Sequence, residues 1–204
     1  MKKWIVLAMV GAMAAPAMAQ FAGLPYADGA AAPEAGLVRG SAGAVVGDDA
    51  NAYGGRVTFG VMEGLALFAD LGLLDPDEGD TGFTYQGGGQ YTLPLDLPVD
   101  VALRGSIGMA SYEVTDDADA DWLFVNFGAL VSKTIEQFTP YGFLGMCYRD
   151  VEIDWEGVGD ASEDETDVAI AGGALFALNE QFSLYGELAH IDDLFFGLGG
   201  RFQF

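Results

Sequence analysis

The sequence predicts an all-β fold, a transmembrane antiparallel up-and-down β-barrel of ten strands, with eight as the alternative, behind a cleaved signal peptide. Three observations carry the prediction. Apolar residues recur with a period of two over stretches of nine to eleven residues, the length a tilted strand needs to cross a bilayer. The acidic residues gather in every second connection, and the first twenty residues have the form of an export signal.

Lys2 and Lys3 give a positive start, Trp4 to Met13 an apolar core, and Ala17-Met18-Ala19 a small-residue cleavage site before Gln20. A membrane-spanning helix would need about 20 apolar residues, and Pro16 closes this run too soon. Residues 1–19 are therefore expected to be removed. Residues 20–36, rich in Ala, Gly and Pro without a period, read as a flexible lead-in, and residues 37–204 as the barrel.

The first strand, 37–46, sets Arg39, Ser41 and Gly43 on an inward face. In 53–61, Tyr53, Gly55, Val57, Phe59 and Val61 alternate with Gly54, Arg56, Thr58 and Gly60. In 65–74, Leu65, Leu67, Ala69, Leu71 and Leu73 alternate with Ala66, Phe68, Asp70 and Gly72. Arg56 and Asp70 are equidistant from Glu63, so the turn between these strands brings them opposite one another. The fourth strand, 83–93, turns Phe83, Tyr85 and Tyr91 outward and Gly88 inward. The next two, 99–112 and 122–132, place Asp100, Ala102, Arg104, Ser106, Gly108 and Tyr112, then Phe124, Asn126 and Gly128, inside. In 139–152 Tyr141 is read as outward and Tyr148 as inward; in 167–178 Ala171 and Gly173 face in and Phe176 out. Strand 182–190 carries Phe182 outward and Glu187 inward, within diagonal reach of Arg201 on the last strand. That strand, 194–204, alternates Leu194, Phe196, Leu198, Gly200, Phe202 and Phe204 with Phe195, Gly197, Gly199, Arg201 and Gln203. A soluble β-sandwich would show strands of about five or six residues instead.

The connections alternate between short and acidic. Short turns at 62–64, 94–98, 133–138 and 179–181 hold only Glu63, Asp96, Glu136 and Glu180. The other set, 47–52, 75–82, 113–121, the stretch ending at Thr166, and 191–193, holds most of the acids. A barrel inserted from one side puts alternate connections on opposite faces, so the charge sits on one rim. This reconciles a chain that is 51% hydrophobic with 31 acidic and 8 basic residues and a net charge of −23. So apolar a composition excludes disorder, and so negative a charge excludes a nucleic-acid partner. Cys147 is the single cysteine, so no disulfide forms within the chain. A closed barrel leaves no free sheet edge and is expected to be a monomer.

The inward charges Arg39, Arg56, Asp70, Asp100, Arg104, Glu187 and Arg201 are expected to form an ion-pair network that fills the lumen, or, alternatively, an ion-selecting constriction. Inward Phe68, Tyr112, Phe124, Tyr148 and Phe195 are candidates for a constriction, while the small inward residues leave room for water. Outward aromatics fall into two bands, as expected of girdles at the membrane boundaries.

The C-terminal Gly199-Gly200-Arg201-Phe202-Gln203-Phe204 resembles the last-strand signal read by the bacterial outer-membrane insertion machinery, with Gly199, Phe202 and Phe204 carrying the likeness. The chain thus resembles the small bacterial outer-membrane β-barrel superfamily, which includes OmpA-like, OmpX-like and OmpW-like proteins. The resemblance implies outer-membrane localisation, with membrane lipid, lipopolysaccharide and the insertion machinery as partners, and assigns no activity. His190 with Asp192 or Asp193 is similar to the His/Asp pairs of omptin-type proteases, but the second acidic pair of that family has no counterpart singled out among the loop aspartates. Lipid A deacylases and acyltransferases of the superfamily use a rim histidine with a nearby serine or acid, but Glu187 points inward while His190 has the opposite parity, and no catalytic residue is assigned. Asp75, Asp77, Glu78 and Asp80, and Asp117, Asp119 and Asp121, are closely spaced carboxylates suited to Ca²⁺ or Mg²⁺, held loosely at most, since neither run follows the EF-hand pattern. The expected function is that of a non-enzymatic envelope barrel with acidic extracellular loops and a structural or surface-interaction role. The alternatives are a narrow channel or ligand-binding barrel for small solutes, and a rim-site hydrolase.

Overall fold

The computed structural model describes residues 28–47, 50–76, 80–115, 118–155, 161–191 and 193–204. The expected signal peptide, residues 1–19, and residues 20–27 lie outside them. Ten strands follow in order: β1 (Val38–Val46), β2 (Ala50–Met62), β3 (Leu65–Pro76), β4 (Gly82–Thr92), β5 (Asp100–Thr115), β6 (Ala118–Ser132), β7 (Phe138–Trp155), β8 (Ala161–Ala177), β9 (Phe182–Ile191) and β10 (Asp193–Gln203). Each pairs antiparallel with its chain neighbours, and β1 pairs with β10 from Arg39↔Gln203 to Val46↔Phe196, which closes the barrel. The expected ten strands are the ten found.

Period two sorts the side chains between two environments. Leu71, Phe83, Phe127, Leu144, Val168 and Leu194 stand outward and exposed, while Asp70, Arg56, Arg104 and Glu187 are buried inside. This inverts the outside of a soluble protein: apolar residues cover the exterior, and charges lie inside among apolar side chains. An exterior so apolar is stable only against hydrocarbon, so the chain is a transmembrane barrel. Among the described residues no helix is long and apolar enough to cross a membrane; the strands do the crossing.

The parity expected for β7 is reversed. Tyr141 is buried inside and Tyr148 is exposed on the outer surface, so Tyr148 takes no part in a lumen constriction. The register fixes this: Cys147 lies opposite inward Asn126, and Tyr148 opposite outward Val125. Both faces of β7 carry aromatic and small residues, so hydrophobicity alone does not orient it. Arg149 is the discriminating residue, because it too is buried inside.

The acidic segments read as loops are largely strand. β5 and β6 stay paired up to Thr115↔Ala118, and β7 and β8 up to Ile153↔Ala161. The reason is that alternation continues through the acids. Asp121 and Glu152 point out while Ala120, Trp122 and Ile153 pack inside, so each added residue gains both a ladder bond and a buried apolar face. β5 to β8 therefore stand as a tall wall on the outer side.

Inward glycines seat aromatic rings rather than leaving water-filled space. A Cβ on Gly128 would lie 2.5 Å from the Phe143 ring and from the Leu144 carbonyl oxygen, and one on Gly173 2.5 Å from the Tyr141 ring. Phe124 lies in the same way on Gly108, and Phe68 on Gly88. Small residues and rings fit together across neighbouring strands, which packs the interior.

The lead-in differs most from expectation. Instead of hanging free, residues 28–36 fold back into the end of the barrel that carries the short turns, with Asp28, Gly29, Ala30 and Pro33 buried. Gly60 permits this by having no side chain. A Cβ there would collide with the Glu34 carbonyl oxygen and approach that of Pro33 to 2.7 Å.

Candidate functional site: the barrel lumen

The lumen is filled in three layers, named from the short-turn end. The floor is the N-terminal strap. Arg201 on β10 donates to the Asp28 carboxylate at 2.5 Å, and Arg39 on β1 approaches it at 3.9 Å, so a single acid bridges the two strands that close the barrel. Arg39 also donates to Gln203 at 2.9 Å. Two residues on, the Ala30 amide donates to Ser132 on β6 at 2.8 Å, and its carbonyl accepts from Thr92 at 2.6 Å and from Gln90 at 3.1 Å, both on β4. Gln90 also donates to the Gly29 carbonyl at 3.0 Å. The Ala32 amide donates to Thr92 at 3.0 Å, and the Gly36 amide to the Gly60 carbonyl at 2.8 Å. Burial opposes the Asp28 charge, but Arg201 and Arg39 outweigh it and hold the carboxyl down at about 2, so it stays ionised well below neutral pH.

The middle layer is a charge belt. Arg56 lies directly opposite Asp70 in the β2–β3 register and grips it with two bonds, Nε to Oδ1 at 2.7 Å and a terminal nitrogen to Oδ2 at 2.6 Å. Gln86, the Asp70 partner on β4, donates a third at 2.6 Å. The two-pronged geometry is what a planar guanidinium offers a carboxylate. Phe68 receives two cations: the Arg104 guanidinium stands 4.0 Å from its ring centre and the Arg56 guanidinium 4.9 Å. Each such contact contributes about 0.5–2 kcal/mol. Glu187 is buried on β9, opposite Gly173 and Gly197. Arg201, expected within diagonal reach of it, holds Asp28. Asp100 sits half-buried at the floor rim, opposite Ser132.

The roof is apolar. Leu74, Tyr112, Trp122, Phe124, Ile153, Ile191 and Phe195 belong to one buried cluster. Tyr112, Phe124 and Phe195 are buried inside the outer half of the barrel, and Phe68 lies deeper, in the belt. Near this roof Arg149 donates to Asp167 at 2.6 Å and to Glu165 at 3.0 Å. The parity read for 139–152, with Tyr148 inward, turns Arg149 outward, so sequence reading misses this group. The alternation Arg149-Asp150-Val151-Glu152-Ile153 was the available signal. Asp28 was missed because its segment has no period. Arg39 and Arg201, two inward cations on the first and last strands, were the hint that an acid was needed there.

The remaining candidates sit apart. His190 is exposed on the outer face of β9, its Nδ1 3.2 Å from the Asp193 carbonyl oxygen, and Asp192 lies outside the described residues. Asp77, Glu78 and Asp117 also lie outside them, as does the side chain of Asp119. Among the described residues no three His, Cys, Asp or Glu side chains converge as a metal site; Asp75 takes a long contact from Thr81 at 3.5 Å. In the C-terminal signal, Phe202 and Phe204 stack edge to face with centroids 4.7 Å apart on the outer surface, and Gly199 yields its inner space to the Tyr185 ring.

No protein-family model and no curated protein matches the chain. Among solved structures it is similar to the N-terminal β-barrel domain of Pseudomonas aeruginosa OprF (14% identity, covering 84% of this chain and 100% of that one, TM-score 0.44). It is similar also to the attachment invasion locus protein Ail of Yersinia pestis (18%, covering 83% and 99%, TM-score 0.44). A third is the translocator domain of the autotransporter NalP from Neisseria meningitidis (10%, covering 100% and 98%, TM-score 0.47).

Proposed function

We propose that this protein is a non-enzymatic, monomeric barrel of the bacterial outer membrane that reinforces the envelope and presents an acidic outer wall for surface contacts. One observation carries the reading: the lumen is occupied from floor to roof by strap, charge belt and apolar cluster. A conduit needs a continuous wet path, and barrels of about eight strands are filled by side chains while those with aqueous channels have about 16–18. Ten strands filled in this way fit a closed structural element. The export signal, the outward aromatic bands and the terminal Phe204 support outer-membrane delivery, with lipid, lipopolysaccharide and the insertion machinery as immediate partners. On the strand that carries His190, Ser183 and Glu187 face inward while His190 faces out, which supports a non-enzymatic reading.

Planar-bilayer recording on the refolded mature barrel tests the reading. Silence at moderate voltage is the expected result, and reproducible open-channel steps would replace the structural role with a conduit.

A further inference from the structure

The strap crosses the lumen rather than lining one wall. In the closed strand order β6 stands five places from β1 in either direction. Yet Asp28 is held at β1 and β10, Ala30 at β6 and β4, and Gly36 at β2. Within nine residues the chain thus spans the mouth and returns to where β1 begins.

We propose that residues 28–34 are a removable plug of the short-turn mouth, latched by Asp28 to Arg39 and Arg201 and able to withdraw without opening the barrel.

Three features support withdrawal. The strand ladder closes without the strap, since β1 starts at Val38 and pairs with β10 and β2 along its own length. The strap is held mainly by polar bonds and one ion-pair cluster; its apolar burial is confined to the small side chains of Ala30 and Pro33. The end it covers is mixed: Thr58, Gln90, Thr92, Ser132 and Ser183 face inward there beside Ala66, Ala102, Leu130 and Leu175, and the polar groups would accept water once uncovered. Arg39 and Arg201 would then lose the carboxylate they share, so the opened vestibule would draw small anions in preference to cations.

Thiol access tests this on the mature barrel. In a Cys147→Ser background, Ser183→Cys places a reporter thiol inside the covered floor. With the strap intact it should react slowly with both a sulfonate-bearing and a trimethylammonium-bearing methanethiosulfonate. Asp28→Asn, which removes the latch charge, and deletion of residues 20–34 should each raise the sulfonate rate at least tenfold and more than the cationic rate. The folded, heat-modifiable gel band should be kept. Gly60→Val, which expels Pro33 and Glu34 by collision and leaves every latch residue in place, should raise the rate as well. Equal rates in all variants would show that the strap seals nothing. A deletion variant that cannot fold, or a fast rate with the native strap, would equally overturn a removable plug.

Discussion

Asp70→Ala is expected to cost the barrel about 3–5 kcal/mol, among the largest losses available from one side chain, because it leaves a buried guanidinium without its counter-charge. Asp70 accepts two bonds from Arg56 and one from Gln86 at 2.6–2.7 Å, and both acid and base are almost wholly shielded from solvent. Removing the acid alone strands the cation in a cavity with little water to solvate it. Replacing both partners with apolar groups, as in Arg56→Met with Asp70→Leu, should recover most of the loss, since the desolvation cost of two ions disappears with their attraction. Urea midpoints of barrels folded in lipid vesicles measure both, and the double-mutant cycle isolates the pair. A single-variant loss below about 1 kcal/mol would mean that water reaches the belt and screens it.

Leu144→Arg should cost about 2–4 kcal/mol for a different reason. Leu144 projects outward from β7, between Ala129 on β6 and Ile170 on β8, and is 60% exposed. In water an arginine there would cost nothing. In the hydrocarbon it must carry its charge out of solvent, with only snorkelling as relief. Glu152→Arg, on the same strand and the same face but among the outer acids, supplies the contrast and should cost roughly 0–1 kcal/mol. Equal urea midpoints for the two variants would place Leu144 in water and refute the membrane-facing wall.

Most of the fold was legible because one signal, period two, both identifies a strand and says which face is which. Where the two faces differ in chemistry, as along β2, β3 and β10, the reading and the structure agree. It failed on β7, where Tyr141, Phe143 and Cys147 on one face resemble Leu144, Met146 and Tyr148 on the other. There the cross-strand register, which a single strand cannot express, decides the orientation. It also fails at the outer ends of β5 to β8, where charge reads as the mark of a loop although Ala120 and Ile153 keep the alternation. The Arg56–Asp70 contact followed from symmetry about Glu63, a local relation. Asp28 meets Arg201 across 173 positions of sequence, and no local pattern encodes such a meeting. That distant contact gives the lumen its floor.

The central claim, an apolar wall around a filled and shielded interior, is tested most directly by scanning β7 with single nitroxide labels at positions 141 to 148, with native Cys147 replaced by serine at every other site. In lipid vesicles, labels at 142, 144, 146 and 148 should be relaxed strongly by oxygen, which concentrates in the bilayer, and labels at 141, 143 and 147 should be protected from it. An inverted alternation, or uniform access along the strand, would contradict the account.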